Sequence, residues 1–281
     1  MALATMAAMP SLYVDDHPLL PALAARGIDA EPVVWSTPAD WDAYDLVVVR
    51  SCWDYTIRRE EFLAWAASVP RLANPAAVLA WNTDKRYLAM LASAGVPVVP
   101  TTFVAPGEPY EVPAHEHVVK PTVSAGARDT ARFTAGESSL AHAQALLSAG
   151  RHVMVQPYAT AIDTDGETAV VTFDGAHSHA AGKAAVLAQA AGHPDDVEIT
   201  ARTATGAERA LADRVLALVP GGPLLYARVD LVPGQDGAPL LMELELTEPC
   251  LFLTTSAGAA ARFADAVAAR VIAGGPGPGG S

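Results

Sequence analysis

The chain reads as an α/β protein in three parts: a mostly parallel N-terminal α/β unit, a small β-β-α-β unit, and a C-terminal, mainly antiparallel α+β unit. Three observations predict this class. Short apolar runs alternate with helical stretches up to Ser68, the pattern of a parallel sheet with crossover helices. Between His117 and Tyr158 two extended runs, a helix and a third extended run follow one another. After Gly166, two pairs of apolar-rich runs are each joined by turn residues, Asp174-Gly175 and Pro233–Gly237, which marks hairpins. The parts divide at 1–100, 101–158 and 159–273, and 274–281 (GGPGPGGS) is a loose tail.

The elements follow in order. Ala2–Thr5 is a short apolar run; Pro18–Arg26 is helical and closed by Gly27; Asp29–Trp35 is extended. Leu46–Arg50 has the apolar run of a strand buried on both faces. Arg58–Ser68 is an amphipathic helix. Sites in such sheets lie beyond the carboxyl ends of the strands, where Arg50-Ser51-Cys52-Trp53-Asp54-Tyr55 sits. The same hexapeptide would also serve as a structural loop with Trp53 packed inward. Asn82-Thr83-Asp84 opens a helix over Lys85–Ala94, with Asn82 or Thr83 as cap. Lys85 and Arg86 oppose the macrodipole there, which is explained by a bound anion or by a free surface lysine.

His117–Lys120 is a strand, and Pro121–Ala127 a loop of small residues whose backbone N–H groups could approach a phosphate. Asp129–Thr134 is a second strand, Glu137–Ser148 a helix closed by Gly150, and His152–Pro157 a third strand. Glu167–Phe173 and His177–Val186 form a hairpin with Lys183 on its returning arm. Glu208–Val219 is helical, and Ser256 caps a last helix, Ala257–Ile272.

The net charge of −13 argues against nucleic acid and anionic membranes, which require basic patches. No apolar run is long enough to span a bilayer, and the N-terminus lacks a basic signal-peptide region. The 2 cysteines make neither a disulfide framework nor a zinc motif, so a reducing cytoplasm is expected.

The last hairpin carries the densest chemistry. Leu224–Val232 and Pro239–Thr247 are its arms. Pairing them about Asp236–Gly237 sets Asp230 opposite Glu243 and Arg228 opposite Glu245. Glu243 and Glu245 then share a face, while Met242, Leu244 and Leu246 fill the other. Facing carboxylates repel and need a cation between them. Oxygen ligands select a hard ion, here Mg²⁺ with a phosphate completing its shell. With too little internal countercharge on Asp230, Glu243 and Glu245, Mg²⁺ and nucleotide are expected to bind together. A solvated strand face with ordinary charges would read the same way.

Several elements fall in one order. Lys85 follows an Asn-x-Asp start; VVKP, with Lys120, precedes the Ser/Gly loop; VQPY, Gly166-Glu167 and RVD…ELE follow. The ordered set resembles the ATP-grasp carboxylate–amine ligases over roughly 80–270. RSCWDY, NTDKRYL and ELELTEPCLFL after RVDLV resemble, more narrowly, the ATP-grasp cyclo-ligases that make D-cycloserine from O-ureido-D-serine. This likeness implies an ATP-grasp fold with a substrate-side N-terminal domain. It implies that Lys85 and Lys120 contact nucleotide phosphates, with Ser124 and Gly126 in the closing loop. Gln156, Pro157 and Tyr158 match the adenine-facing hinge, and Glu167 an acid near the ribose or substrate. Arg228 matches the phosphate-facing arginine, and Asp230, Glu243 and Glu245 the Mg²⁺ ligands. Around Lys183 the chain departs from relatives that carry adjacent Arg and Lys: Gly182 leaves one cation fewer. Arg50, Ser51, Asp54 and Glu248 are candidates for holding a small amino-acid-like substrate.

The expected enzyme is a cytoplasmic ATP- and Mg²⁺-dependent ligase of antibiotic biosynthesis. It would activate a carboxylate as an acyl phosphate, with Arg228 and Lys120 in catalytic roles, and close a ring by attack of a nitrogen in the same molecule. An intermolecular amino-acid ligase and a nucleotide-binding protein without turnover are the alternatives. Homo-oligomerisation is left open.

Overall fold

The computed structural model describes residues 1–185 and 197–274. The expected strand end at Val186, and all of the expected tail except Gly274, lie outside the described residues. The N-terminal unit contains β1 (Ala2–Thr5), α1 (Leu19–Ala24), β2 (Glu31–Val34), β3 (Val47–Val49), α2 (Arg59–Ser68) and a two-residue β4 (Leu72–Ala73). Its strands form one parallel sheet in the order β2-β1-β3-β4. The apolar runs of β1 and β3 are buried because both faces are covered. Ala2, Ala4, Val47 and Val49 pack on Phe62 and Ala66 of α2. Leu3 and Val48 pack with Leu19 and Leu23 of α1.

Next come α3 (Ala76–Asn82), α4 (Tyr87–Ser93), β5 (Thr102–Val104), β6 (His117–Pro121), β7 (Ala131–Phe133), α5 (Leu140–Ser148) and β8 (Val153–Pro157). The four strands pair antiparallel in the order β5-β8-β6-β7, with α5 packed on one face through Ala143 and Leu146. The expected helix start at Asn82–Asp84 is corrected here. Asn82 ends α3, and Lys85 sits in a turn before α4. The Asn82 amide is spent on distant strand backbone, donating to Leu244 O at 2.8 Å and accepting from Leu246 N at 2.9 Å. The second expected strand starts later than Asp129, which lies in a turn at φ 58°.

The C-terminal part contains α6 (Ile162–Asp165), β9 (Glu167–Phe173), β10 (Ala176–Lys183), β11 (Ile199–Arg202), α7 (Gly206–Leu216), β12 (Tyr226–Pro233), β13 (Pro239–Glu245) and α8 (Ala259–Gly274). Its sheet, β11-β10-β9-β12-β13, is antiparallel throughout. Asp174 and Gly175 take φ 48° and 78°, so the first hairpin turns as expected. One face of the sheet (Val170, Ala180, Val229, Leu244) packs on α4 and α7. At one end of the other face, Phe173 and Tyr226 pack on Phe263 of α8. Beyond them, Ala169 and Ala181 pack under Phe252, and the charged side chains Glu167, Lys183, Arg228, Glu243 and Glu245 line a cavity.

β13 carries a bulge. The expected pairs Arg228–Glu245 and Asp230–Glu243 are present, but Leu231 pairs with Leu241, so Met242 is an extra residue. Met242 therefore leaves the Leu244–Leu246 face assigned to it and lies on the cavity wall, packed near Ile162 and Ala185.

Candidate active site

A cavity of about 1170 Å³ lies between the two antiparallel sheets and the loops at the carboxyl end of the parallel sheet. Most of its charged side chains are delivered by expected strands. Lys120 comes from β6, Gln156 and Pro157 from the end of β8, Glu167 and Lys183 from the β9–β10 pair, and Arg228, Glu243 and Glu245 from the last hairpin. Lys85, Ser124, Gly126, Tyr158 and Glu248 also line it.

The charges form chains of ion pairs. Lys183 Nζ donates to Glu167 Oε2 at 2.8 Å and Asp230 Oδ2 at 2.7 Å. Arg228 grips Asp230 with two bonds, 2.8 and 2.9 Å, and also donates to Glu245 Oε1 and to Cys250 O. Lys85 Nζ lies 3.1 Å from Glu243 Oε1 and donates to Ser124 O at 2.6 Å, tethering the small-residue loop. Lys120 has no ion pair or hydrogen bond to its ammonium among the described residues.

Electrostatics follow from this arrangement. Burial alone would raise the Asp230 carboxyl, but Arg228 and Lys183 outweigh it and hold it well below the usual range. Burial likewise opposes ionisation of Glu243, and Lys85 and Lys120 overcome it. Glu245 is pushed up by burial, with Asp230 and Glu243 reinforcing the effect against Arg228. Burial also pushes Glu248 up, to about 8, with Glu245 adding to it. The Lys120 ammonium is depressed by burial, with Lys85 and Lys183 adding repulsion against the pull of Glu243.

The structure corrects the idea that the acids lack countercharge: Lys85, Lys183 and Arg228 lie on Glu243, Asp230 and Glu245. Asp230 is 1% exposed beneath these cations and is absent from the cavity wall. No group of three His, Cys, Asp or Glu among the described residues is drawn together tightly enough to hold a metal. The donor set still fits Mg²⁺ in kind, because Asp230, Glu243 and Glu245 offer only carboxylate oxygens. Their cationic partners must turn to another anion before a metal can take their place.

The Gly182 departure does not weaken this floor. A Cβ there would meet Thr200 Oγ1 at 2.9 Å and Arg202 Cδ at 3.5 Å, and strand alternation puts it on the opposite face from Lys183. Gly166 is required by close approach. It takes φ 65° and ψ −168°, and a Cβ would lie 2.5 Å from the Lys183 carbonyl oxygen.

At the end of β8, Tyr158 N donates to Glu116 O and the Arg132 guanidinium lies 3.5 Å over the Tyr158 ring. The Gln156 side chain donates to Thr101 Oγ1 at 2.9 Å.

Three of the four candidates for holding a substrate lie away from the cavity wall, and Glu248 is on it. Arg50 is 1% exposed, bound to Asp16 Oδ1 at 2.8 and 3.0 Å and to Pro249 O at 2.7 Å. Ser51 Oγ donates to Asp16 Oδ2 and accepts from Tyr13 N. Asp54 Oδ1 accepts from the Trp35 indole at 2.9 Å. None of the three lines the cavity, because each satisfies a buried partner in the N-terminal unit. The wall there is made by Tyr13, Asp15, Trp53, Tyr55, Glu248 and Phe252. Asp15 escaped sequence reasoning. Its carboxylate accepts from Leu253 N and from the Thr254 N and hydroxyl, contacts across 238–239 residues that leave no local signal.

Residues 1–74 match the family model of the N-terminal domain of D-cycloserine synthetase DcsG. The cycloserine biosynthesis protein DcsG of Streptomyces lavendulae is 40% identical over 294 aligned residues, which cover 96% of this chain and 98% of that protein. The crystal structure of a D-cycloserine synthetase DcsG superposes with a TM-score of 0.83 at 41% identity, covering 96% of this chain and 99% of that one. A D-alanine–D-alanine ligase from Bacillus anthracis, complexed with ATP, shares the fold with a TM-score of 0.65 at 15% identity, covering 97% and 98%.

Proposed function

The chain belongs to the D-cycloserine synthetase family of ATP-grasp ligases, and we propose that it closes O-ureido-D-serine into the D-cycloserine ring in a cytoplasmic route to an antibiotic. The observation that carries this reading is a single cavity in which unpaired Lys120 and the re-pairable cations Lys85, Lys183 and Arg228 meet a small, aromatic-walled end. That end, bounded by Tyr13, Trp53, Tyr55 and Phe252, suits one small molecule.

The chemistry requires activation, since a carboxylate oxygen is too poor a leaving group for an amine to displace. The substrate carboxylate attacks the γ-phosphorus of ATP, ADP leaves, and an acyl phosphate forms. The ureido nitrogen then attacks the acyl carbon. The C–N bond closes as the C–O bond to phosphate breaks, and the nitrogen gives up its proton. Hydrolytic loss of the carbamoyl group as carbon dioxide and ammonia leaves D-cycloserine.

Bringing one anion to another is mainly a matter of charge neutralisation and positioning. Lys85, Lys120 and Arg228 supply positive charge toward the phosphates, and Lys183 steadies Glu167 and Asp230. Asp230, Glu243 and Glu245 would hold Mg²⁺. When bound, that ion would neutralise phosphate charge and align the phosphoryl group. The loop holding Ser124 and Gly126 would close over the phosphates and exclude water. Holding nucleophile and acyl group in one folded substrate provides the effective-molarity advantage of an intramolecular reaction.

The test is product analysis by mass spectrometry with ATP, Mg²⁺ and O-ureido-D-serine, alone and beside a panel of amino acids. D-cycloserine and ADP from the single substrate are expected. Turnover only with an added amine, giving a linear amide, would replace this reading with intermolecular ligation.

A further inference from the structure

Among the described residues lining the cavity, Lys120, Arg128, Asp15 and Glu248 are in no ion pair, and of the two acids Asp15 is taken up by hydrogen bonds from Leu253 and Thr254. Lys85 is on Glu243, Lys183 on Glu167 and Asp230, and Arg228 on Asp230 and Glu245. Of the two cations outside these pairs, Lys120 is half-buried and Arg128 is exposed. The unused anion is Glu248: its side chain is 6% exposed and lines the cavity, yet makes no hydrogen bond or ion pair among the described residues. Its backbone is fixed from the facing loop, where Trp53 Nε1 donates to Glu248 O at 3.2 Å. The Tyr55 hydroxyl, on a residue 4% exposed and also on the wall, is likewise without a partner among the described residues. Both side chains are largely buried, yet their polar ends open onto the cavity without a partner among the described residues, where a ligand can reach them.

We infer that Glu248, with Tyr55 facing it from the N-terminal loop, is the seat of the substrate's cationic amino group. The inference rests on the ligase reading above and adds to it the group that makes the site choose an amino acid over the corresponding plain acid. Along the chain, Glu243 and Glu245 belong to the phosphate end, and Glu248 lies beyond the end of β13 toward the N-terminal unit. A substrate whose carboxylate points to Lys120 and Arg228 therefore presents its ammonium to Glu248. Three N–H donors and one positive charge match an unshared carboxylate and a hydroxyl oxygen. Burial raises the Glu248 carboxyl, with Glu245 and Glu243 adding to it, and a bound ammonium would lower it again. Glu248 is a substrate-binding residue under this assignment and takes no part in the transfer itself.

The experiment compares wild type, Glu248→Gln and Glu248→Asp with O-ureido-D-serine as substrate and its desamino analogue, 3-(ureidooxy)propanoate, as competitor. Loss of a charge-assisted contact predicts a KM for O-ureido-D-serine about ten- to a hundredfold higher in Glu248→Gln, with Glu248→Asp intermediate. The analogue should inhibit wild type and Glu248→Gln equally, and ADP should bind both with the same affinity, which also shows that the variant is folded. Wild type should bind the analogue at least about tenfold more weakly than the substrate, a comparison that needs no variant. An unchanged KM in Glu248→Gln, or equal affinity of wild type for substrate and analogue, overturns this assignment alone. Absence of any turnover of O-ureido-D-serine by wild type overturns the ligase reading and this one together.

Discussion

Lys120→Met removes a half-buried cavity cation that has no ionic partner among the described residues, and binding and stability should then move in opposite directions. The side chain keeps its length, and its position on β6 between β8 and β7 is unaffected. Binding loses one charge-assisted contact to a phosphate, about 1.5–3 kcal/mol, so the Kd of Mg·ADP should rise ~10- to 100-fold. The ligand-free protein loses a desolvated ammonium and its repulsion from Lys85 and Lys183, and forfeits attraction to Glu243 and Glu167. These terms nearly cancel, with desolvation the larger, so stability should be unchanged or rise by up to ~1 kcal/mol, a few degrees in Tm at this size. Calorimetry of Mg·ADP binding and thermal melts of the ligand-free protein give both numbers. An ADP affinity within about twofold of wild type would show that Lys120 faces no phosphate. A Tm lower by more than ~4 °C would show that it stabilises the empty site, contrary to the reasoning.

Mg²⁺ alone should bind weakly, because its would-be ligands already carry Lys85, Lys183 and Arg228, whereas ADP and Mg²⁺ should each tighten the other by the same factor. Calorimetry with and without chelator checks this, and equal ADP affinity in both conditions would contradict it. Stability should also fall on the acid side through His179, which is held neutral. Its Nε2 donates to Leu251 O at 2.8 Å, its Nδ1 accepts from Ser178, and burial depresses its protonation. This contribution is complete above the unfolded histidine pKa of about 6.5 and is lost as pH falls toward the lower folded value. The Tm of His179→Gln should therefore drop less than that of wild type between about pH 7 and pH 5, and parallel curves would exclude the assignment.

What could be read from the chain depended on how local each interaction is. Asp230 opposite Glu243 and Arg228 opposite Glu245 came from counting across one turn, and both pairs are present. The count succeeded although its premise of simple pairing was wrong: the turn is offset by one residue and the bulge at Met242 restores the register. A bulge has no compulsory residue signature in this strand, so Met242 was placed on the wrong face. Asn82 fails for another reason. Before an Asp it looks like a helix cap, and only the distant edges of Leu244 and Leu246 reveal its use. Asn74 does the same for Leu225, Tyr226 and Leu246. Arg50 is the clearest limit: its charge at a strand end looked functional, while its partner Asp16 lies 34 residues earlier. The short strands β4 and β5, of 2 and 3 residues, gave no periodicity to detect.

The way Asp15 and Arg50 hook the 249–254 segment has a consequence for how the chain can be divided. These bonds span 199 to 239 residues, and Leu3, Leu19 and Val48 share a core with Phe263 and Val267 of α8. The stretch matched as an N-terminal domain is thus a unit of sequence whose apolar floor is provided by the far end of the molecule. Expressed as a fragment ending at residue 74, it would expose that floor to water. The wall that Trp53 and Tyr55 share with Glu248, Cys250 and Phe252 is likewise completed only by residues near the far end of the fold. A chain cut before residue 242 therefore has no finished cavity wall.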